Sequence, residues 1–286
     1  MNQTSSIQWY PGHMAKAFKK IKEQLKLIDI VIEIVDARIP ISSKNPSIES
    51  LIGNKKHILL LNKADLADEG ETNQWIDKIK REDKHTYPMA FSIHNPRDKK
   101  KLLSQIRQLK TKSNQKRCLI CGIPNVGKSS VINLLSGKKK TVIGNKPGVT
   151  KVNQWVKIDE KILLLDTPGL LWPKFEDPKV GMRLAWIGSI KDTIYEKENL
   201  AFELLLFLHK NYSQRLIEAY QLDPKILNEK TIMLMEAIAS IRRFLIRGGD
   251  YDYARTADTI LKDFKDGKLG PITIEKVKGS TEPCML

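Results

Sequence analysis

Asn62-Lys63-Ala64-Asp65 stands upstream of Gly122-Ile123-Pro124-Asn125-Val126-Gly127-Lys128-Ser129, and Asp166-Thr167-Pro168-Gly169 follows both. The order of these three stretches decides how the chain folds. Gly-x-x-x-x-Gly-Lys-Ser cradles phosphates when a strand leads into it and a helix leaves it. The apolar run Cys118-Leu119-Ile120-Cys121 supplies the strand, and residues 128–136 carry a helical pattern. On this reading Gly122 and Gly127 let backbone N–H groups turn inward. Lys128 reaches the β and γ phosphates, Ser129 ligates Mg²⁺, and the opening helix adds its positive dipole end.

The other two stretches complete a nucleotide site. Asp166 closes the run Ile162–Leu165, which puts it at a strand end and suits it to the Mg²⁺ shell. The Gly169 amide can meet a γ phosphate because no side chain blocks the approach. Between them, Thr150 in Pro147-Gly148-Val149-Thr150 is the expected switch threonine, on Mg²⁺ when a triphosphate is bound. The phosphate-contacting set is therefore Asn125, Val126, Gly127, Lys128, Ser129, Ser130, Thr150 and Gly169. Asn62-Lys63-Ala64-Asp65 closes the run Ile58–Leu61. A carboxylate at Asp65 can accept from both N1–H and N2–H of guanine. Adenine offers no such pair, and sites built this way reject the wrong partner by roughly 10⁴–10⁵. The stem of Lys63 can cover the base plane, and Asn62 would brace neighbouring loops. Ser92, in Phe91-Ser92-Ile93, marks the last base-contacting loop.

Ordinary guanine-nucleotide-binding domains run phosphate loop first and base reader last. Here the base reader comes first, so the chain reads as a circular permutation. Strands are expected near 30–36, 58–62, 87–91, 118–121, 155–158 and 162–165, with helices near 14–27, 46–53, 71–81, 98–111 and 128–136. Continuous Ile/Leu/Val runs suit strands buried on both faces of a mostly parallel sheet, and strand–helix alternation is the pattern of a doubly wound α/β domain. After about residue 175 only helical patterns recur, near 178–191, 198–209, 212–220, 229–246 and 250–265. The expected architecture is thus a permuted α/β P-loop domain with a six-stranded sheet over 1–175, followed by a smaller all-helical domain over 176–286. Gly248-Gly249 is expected to end a helix carrying Arg242, Arg243 and Arg247, and the Gly/Pro/Lys-rich tail from Gly267 to be loosely held.

The whole-chain numbers bear on the kind of partner. The formal net charge is +16 with a pI near 9.6 over 286 residues. Charge of this size does not favour folding and points to a polyanionic partner. Three cysteines imply no disulfide framework, and Cys118 and Cys121 lie in an apolar run that suits core packing. No apolar stretch approaches 18 residues, so no membrane span, no membrane partner and a cytoplasmic location are expected.

Many GTPases place Gln after Asp-x-x-Gly to orient the attacking water. Here Leu170 and Leu171 stand there, and neither can hold water by hydrogen bonding. His13, in a Pro-Gly turn, is one candidate to position or deprotonate it. Asn125 is another aid, holding a monovalent cation where charge develops.

Trp9-Tyr-Pro-Gly-His-Met14, Asp36-Ala-Arg-Ile-Pro40, Gly122-Ile-Pro-Asn-Val-Gly-Lys-Ser-Ser130 and the permuted motif order resemble the ribosome biogenesis GTPase A family of bacteria over nearly the whole chain. The resemblance implies GTP hydrolysis assisting late assembly of the large (50S) ribosomal subunit through its rRNA, stimulated by that subunit. It makes His13 catalytic, Leu170 the apolar replacement for glutamine, and Asn125 a K⁺ ligand beside Mg²⁺. GTP, GDP, rRNA and ribosomal proteins are the implied partners, and a monomer in solution is expected. A GTP-stabilised RNA-binding scaffold with incidental hydrolysis is the alternative.

Overall fold

Six strands form one sheet. The computed structural model describes residues 21–53, 55–137, 154–172, 175, 177–190 and 194–277. The strands are β1 (Ile30–Asp36), β2 (Lys56–Asn62), β3 (Thr86–Phe91), β4 (Lys116–Cys121), β5 (Gln154–Asp159) and β6 (Ile162–Asp166), and they lie in the order β3-β2-β1-β4-β6-β5. All pairings are parallel except the edge pair β5–β6, which is antiparallel. Every residue of β1 is buried, as a strand covered on both faces requires.

Helices α1 (Pro46–Ile52), α2 (Glu69–Glu82), α3 (Pro96–Gln108) and α4 (Lys128–Ser136) connect these strands. Residues 21–25 are also helical, and the rest of the expected 14–27 helix lies outside the described residues. Helix starts follow capping chemistry. Asn45, Asp68 and Asn95 each accept a hydrogen bond from a first-turn amide of α1, α2 and α3, which satisfies N–H groups that no helical carbonyl reaches. Asn45 and Asn95 are each followed by Pro at the first helical position, where a missing N–H costs nothing.

The sheet order reverses beside β4. From β1 the chain proceeds outward through β2 and β3, then returns to place β4 on the other side of β1. The C-terminal ends of β2, β4 and β6 therefore share one edge, and in such sheets ligands bind there. Those ends carry Asn62, Gly122 and Asp166 respectively.

A second compact unit covers 177–272, and its described residues are all-helical apart from a single bridge between Leu245 and Tyr251. Its helices are α5 (Pro178–Trp186), α6 (Lys197–Asn211), α7 (Ser213–Tyr220), α8 (Thr231–Arg242) and α9 (Tyr253–Lys265). Leu204, Leu205, Leu208, Leu234, Ile238, Ile260 and Phe264 form its buried centre. Two expectations change here. The helix expected over 229–246 stops at Arg242, because Arg243 takes a left-handed backbone (φ 56°) and its amide closes on Ser240. Gly248-Gly249 then sits in the turn of a short hairpin closed by the Leu245–Tyr251 bridge. The tail is not loose as far as it is described: Ile272, Thr273, Ile274 and Glu275 are buried. Thr273–Val277 cluster with the first unit.

Candidate nucleotide site

The base reader and the phosphate loop touch. Asn62 ends β2, and its Nδ2 donates to the Val126 carbonyl at 2.6 Å. Gly127 turns with φ 102°, and a Cβ there would overlap the Asn62 amide. Two stretches whose touching residues lie 64 apart in sequence thus meet with no room for a side chain between them. Lys63 follows in a left-handed backbone (φ 57°) and sets its Nζ 3.1 Å from Asp36 Oδ2. The Asp36 carboxylate is also gripped by Arg38, Nε to Oδ1 and Nη2 to Oδ2, both at 2.9 Å. Burial alone would raise the Asp36 pKa, but the two cations beside it hold it well below the usual carboxylate range. Asp65 lies in the short 3₁₀ turn after the strand, with its side chain exposed.

The loop 122–127 leads into α4 through Gly127. Val126 is fully buried, while Asn125 (φ 60°), Ser129 and Ser130 are half-buried. Lys128 is buried, and its ammonium donates to the carbonyls of Gly122 (3.1 Å) and Ile123 (2.7 Å). Burial draws its pKa down to about 8, against the opposing pull of Asp166. Asp166 is 1% exposed, and neither carboxylate oxygen has a hydrogen-bond partner among the described residues. Burial pushes it up to about 6, with Lys128 pulling it back. A buried carboxylate with no well-formed hydrogen bond, only the Thr167 amide pulling weakly on it, is costly unless a cation meets it, so this residue fits a magnesium site.

Gly169 lies against the phosphate loop, where a Cβ would come within 2.8 Å of the Pro124 backbone. The next residue, Leu170, donates its amide to the Gly122 carbonyl at 3.2 Å and accepts from Asn45 Nδ2 at 2.8 Å. Its side chain is buried with Ile21, Leu25, Ile48, Ile52 and Leu119. Leu170 thus serves the core at the position where other GTPases hold water. His13 and Thr150 lie outside the described residues.

Two models of known families match the chain. One, described as 50S ribosome-binding GTPase, matches residues 117–236, which begins at β4 and leaves the base reader outside. The other, described as RsgA GTPase, matches 50–176 and spans both motifs. Ribosome biogenesis GTPase A of Priestia megaterium is 43% identical over 97% of this chain and 99% of that protein. Its namesake from Bacillus cereus is 45% identical over 94% and 93%. The chain belongs to the ribosome biogenesis GTPase A family. It is a GTPase. A crystal structure titled as GNP-bound YlqF from T. maritima is 26% identical, covers 91% of this chain and 98% of its own, and has a TM-score of 0.66.

Several residues around these loops carry no role that the sequence reading assigns. Asp36 and Arg38 stand in the sequence only as part of the family signature Asp36–Pro40. Its signal was available: an acid at the end of an apolar strand with Arg two residues on, placed to fold back onto it. Asp98 was also missed. It accepts the Ser92 amide at 2.9 Å, while Ser92 Oγ accepts from the His94 amide, so the serine organises its loop and spends its own N–H on α3. Asn45 carries a recognisable cap pattern, Asn-Pro, but nothing local reveals its bond to Leu170, 125 residues away.

Proposed function

We propose that this GTPase binds rRNA of the immature large ribosomal subunit, promotes a late maturation step, and leaves when GTP is hydrolysed. The observation that carries the nucleotide half is the Asn62–Val126 bond, which seats the base reader on the phosphate loop. Family membership supports the ribosomal half, and the +16 charge suits an RNA partner. In this reading Asp65 accepts from the guanine edge, Lys63 lies along the base plane, and the loop at Ser92 closes beside it. Backbone amides of the phosphate loop, from Asn125 to Ser130, and Lys128 take the phosphates, and the Gly169 amide meets the γ phosphate. Ser129, Thr150 and Asp166 would hold Mg²⁺, which when bound offsets phosphate charge. Asn125 would hold K⁺, adding positive charge near the transition state.

With Leu170 in the core, water positioning falls to His13. Intrinsic turnover is accordingly slow, and contact with the subunit raises it. The region 177–272 presents exposed Arg242, Arg243 and Arg247 and serves as the rRNA-contacting part. The protein acts as a monomer in the cytoplasm; among the described residues no helix is long and apolar enough to cross a membrane. GTP turnover with and without purified large subunits, together with salt-dependent co-sedimentation, tests the proposal. Stimulated turnover, and binding that weakens steeply with salt, are expected. Leu170 burial also favours a second reading, a GTP-stabilised scaffold, and absence of stimulation would select it.

A further inference from the structure

Residues Thr273–Val277 form a strap along the base side of the site. The amides of Ile274 and Glu275 both donate to the Arg38 carbonyl, at 2.9 and 3.3 Å. The Glu275 carboxylate accepts from the amides of Ile41 (2.7 Å) and Ser42 (3.1 Å) and from the Ser42 hydroxyl. Thr273 Oγ1 accepts from the Asp68 amide at 2.9 Å, and the Trp75 indole donates to the Glu275 carbonyl at 2.7 Å. Thr273 is fully buried and Glu275 is 7% exposed. A carboxylate buried this far costs free energy unless donors meet its charge, and the 41–42 turn supplies them.

These bonds end on two segments that flank the base reader. Arg38 holds Asp36, on which the Lys63 ammonium rests. Asp68 caps α2 just after Asp65. Between them Lys63 keeps a left-handed backbone, a conformation that for a residue with a Cβ persists only where its surroundings impose it. We propose that Thr273 and Glu275 are positioning residues for guanine: the strap holds the loops carrying Lys63 and Asp65 in base-reading geometry. The chain leaving the helical region thereby has a direct hold on guanine affinity, separate from the switch at Asp166–Gly169. This rests on the reading of Asp65 as the guanine-accepting carboxylate.

The test compares GDP with IDP, which lacks the exocyclic amino group, by competition against a fluorescent GDP analogue on the full chain. Glu275→Ala and Thr273→Val should weaken GDP about tenfold and IDP much less, so that the GDP/IDP preference falls. Thr273→Ser, which keeps the hydroxyl, should restore it. Trp75→Phe, which keeps the ring packing and removes one strap bond, should give a smaller shift in the same direction. An unchanged preference, or equal weakening of both nucleotides with a lowered Tm, would overturn the proposal and leave the strap a structural brace. Asp65→Asn separates the underlying reading. It should abolish or invert the GDP/IDP preference. If it does while the strap variants do not, the strap proposal alone fails; if it does not, the reading of Asp65 fails and takes the strap proposal with it.

Discussion

Replacing Asn62 by alanine should uncouple the base reader from the phosphate loop. The side chain is 2% exposed, and its Nδ2 reaches the Val126 carbonyl at 2.6 Å. The variant leaves that buried carbonyl without a donor, which costs about 1–3 kcal/mol. If the whole cost falls on the bound state, GDP affinity drops roughly 5- to 150-fold. If it falls on the fold, the same range appears as lost stability. Competition against a fluorescent GDP analogue, with urea unfolding on the same preparations, divides the two. A second variant sharpens the reasoning. The Cβ of Gly127→Ala would overlap the Asn62 amide, so Asn62→Ala should relieve part of that damage. The two substitutions should then be non-additive by about 0.5–3 kcal/mol. Additive effects, or GDP affinity and unfolding both unchanged in Asn62→Ala, would refute the claim that the two loops form one pocket.

The nucleotide-free protein should carry a pH signature from Asp166. Its carboxyl is raised to about 6 from an ordinary value of 3.8, so the folded state holds a proton that the unfolded state has lost between those values. Stability from this residue is present below pH 4 and is lost as pH rises toward 6; Asp166→Asn should flatten that window in urea midpoints, and an unchanged slope would count against it. Exchanging K⁺ for Na⁺ should slow GTP turnover if Asn125 holds the monovalent cation, and equal rates would reject that role. His13→Ala should lower subunit-stimulated turnover while sparing GTP affinity; turnover at the original rate would remove His13 from the mechanism.

The strands were legible because their signal is local. Ile58–Leu61 and Ile162–Leu165 are unbroken apolar runs, and Ile30–Val35 is interrupted only by Glu33; such runs need burial on both faces wherever they fall in the chain. The phosphate loop was legible for a related reason: its glycines and lysine lie within eight residues of one another. Less could be read where a residue's partner is remote. Glu275 reads as one charge in a Lys/Gly-rich tail, yet its acceptors are filled from Ile41 and Ser42, more than 230 residues upstream. Composition gave the opposite expectation, a loose tail, because it counts the charge and cannot see the donors. The overlong helix at 229–246 failed for another reason. Arg and Phe continue a helical pattern, and the left-handed turn at Arg243 is imposed by the hairpin beyond it.

Permutation explains why these remote bonds gather around the base reader. In an unpermuted chain the segment after the Asp-x-x-Gly switch runs on into the base-binding strands. Here those strands are already complete, and the chain beyond Gly169 is free to build the unit at 177–272. The loops at 36–42 and 63–68 are then held from outside their own strands. Arg38 grips Asp36 from two residues away, and the chain's last described segment closes over both loops through Thr273, Ile274 and Glu275. The helical unit is consequently bounded in sequence by two segments that lie in the nucleotide-binding unit, the switch loop before it and the strap after it. A partner that reorganised the helical unit would pull on chain leading to both the Asp166–Gly169 loop and the loops around Asn62–Asp65. Stimulated hydrolysis and nucleotide exchange would then respond to the same event through different ends of one insert, and shortening the strap should alter exchange while leaving the stimulated chemical step in place.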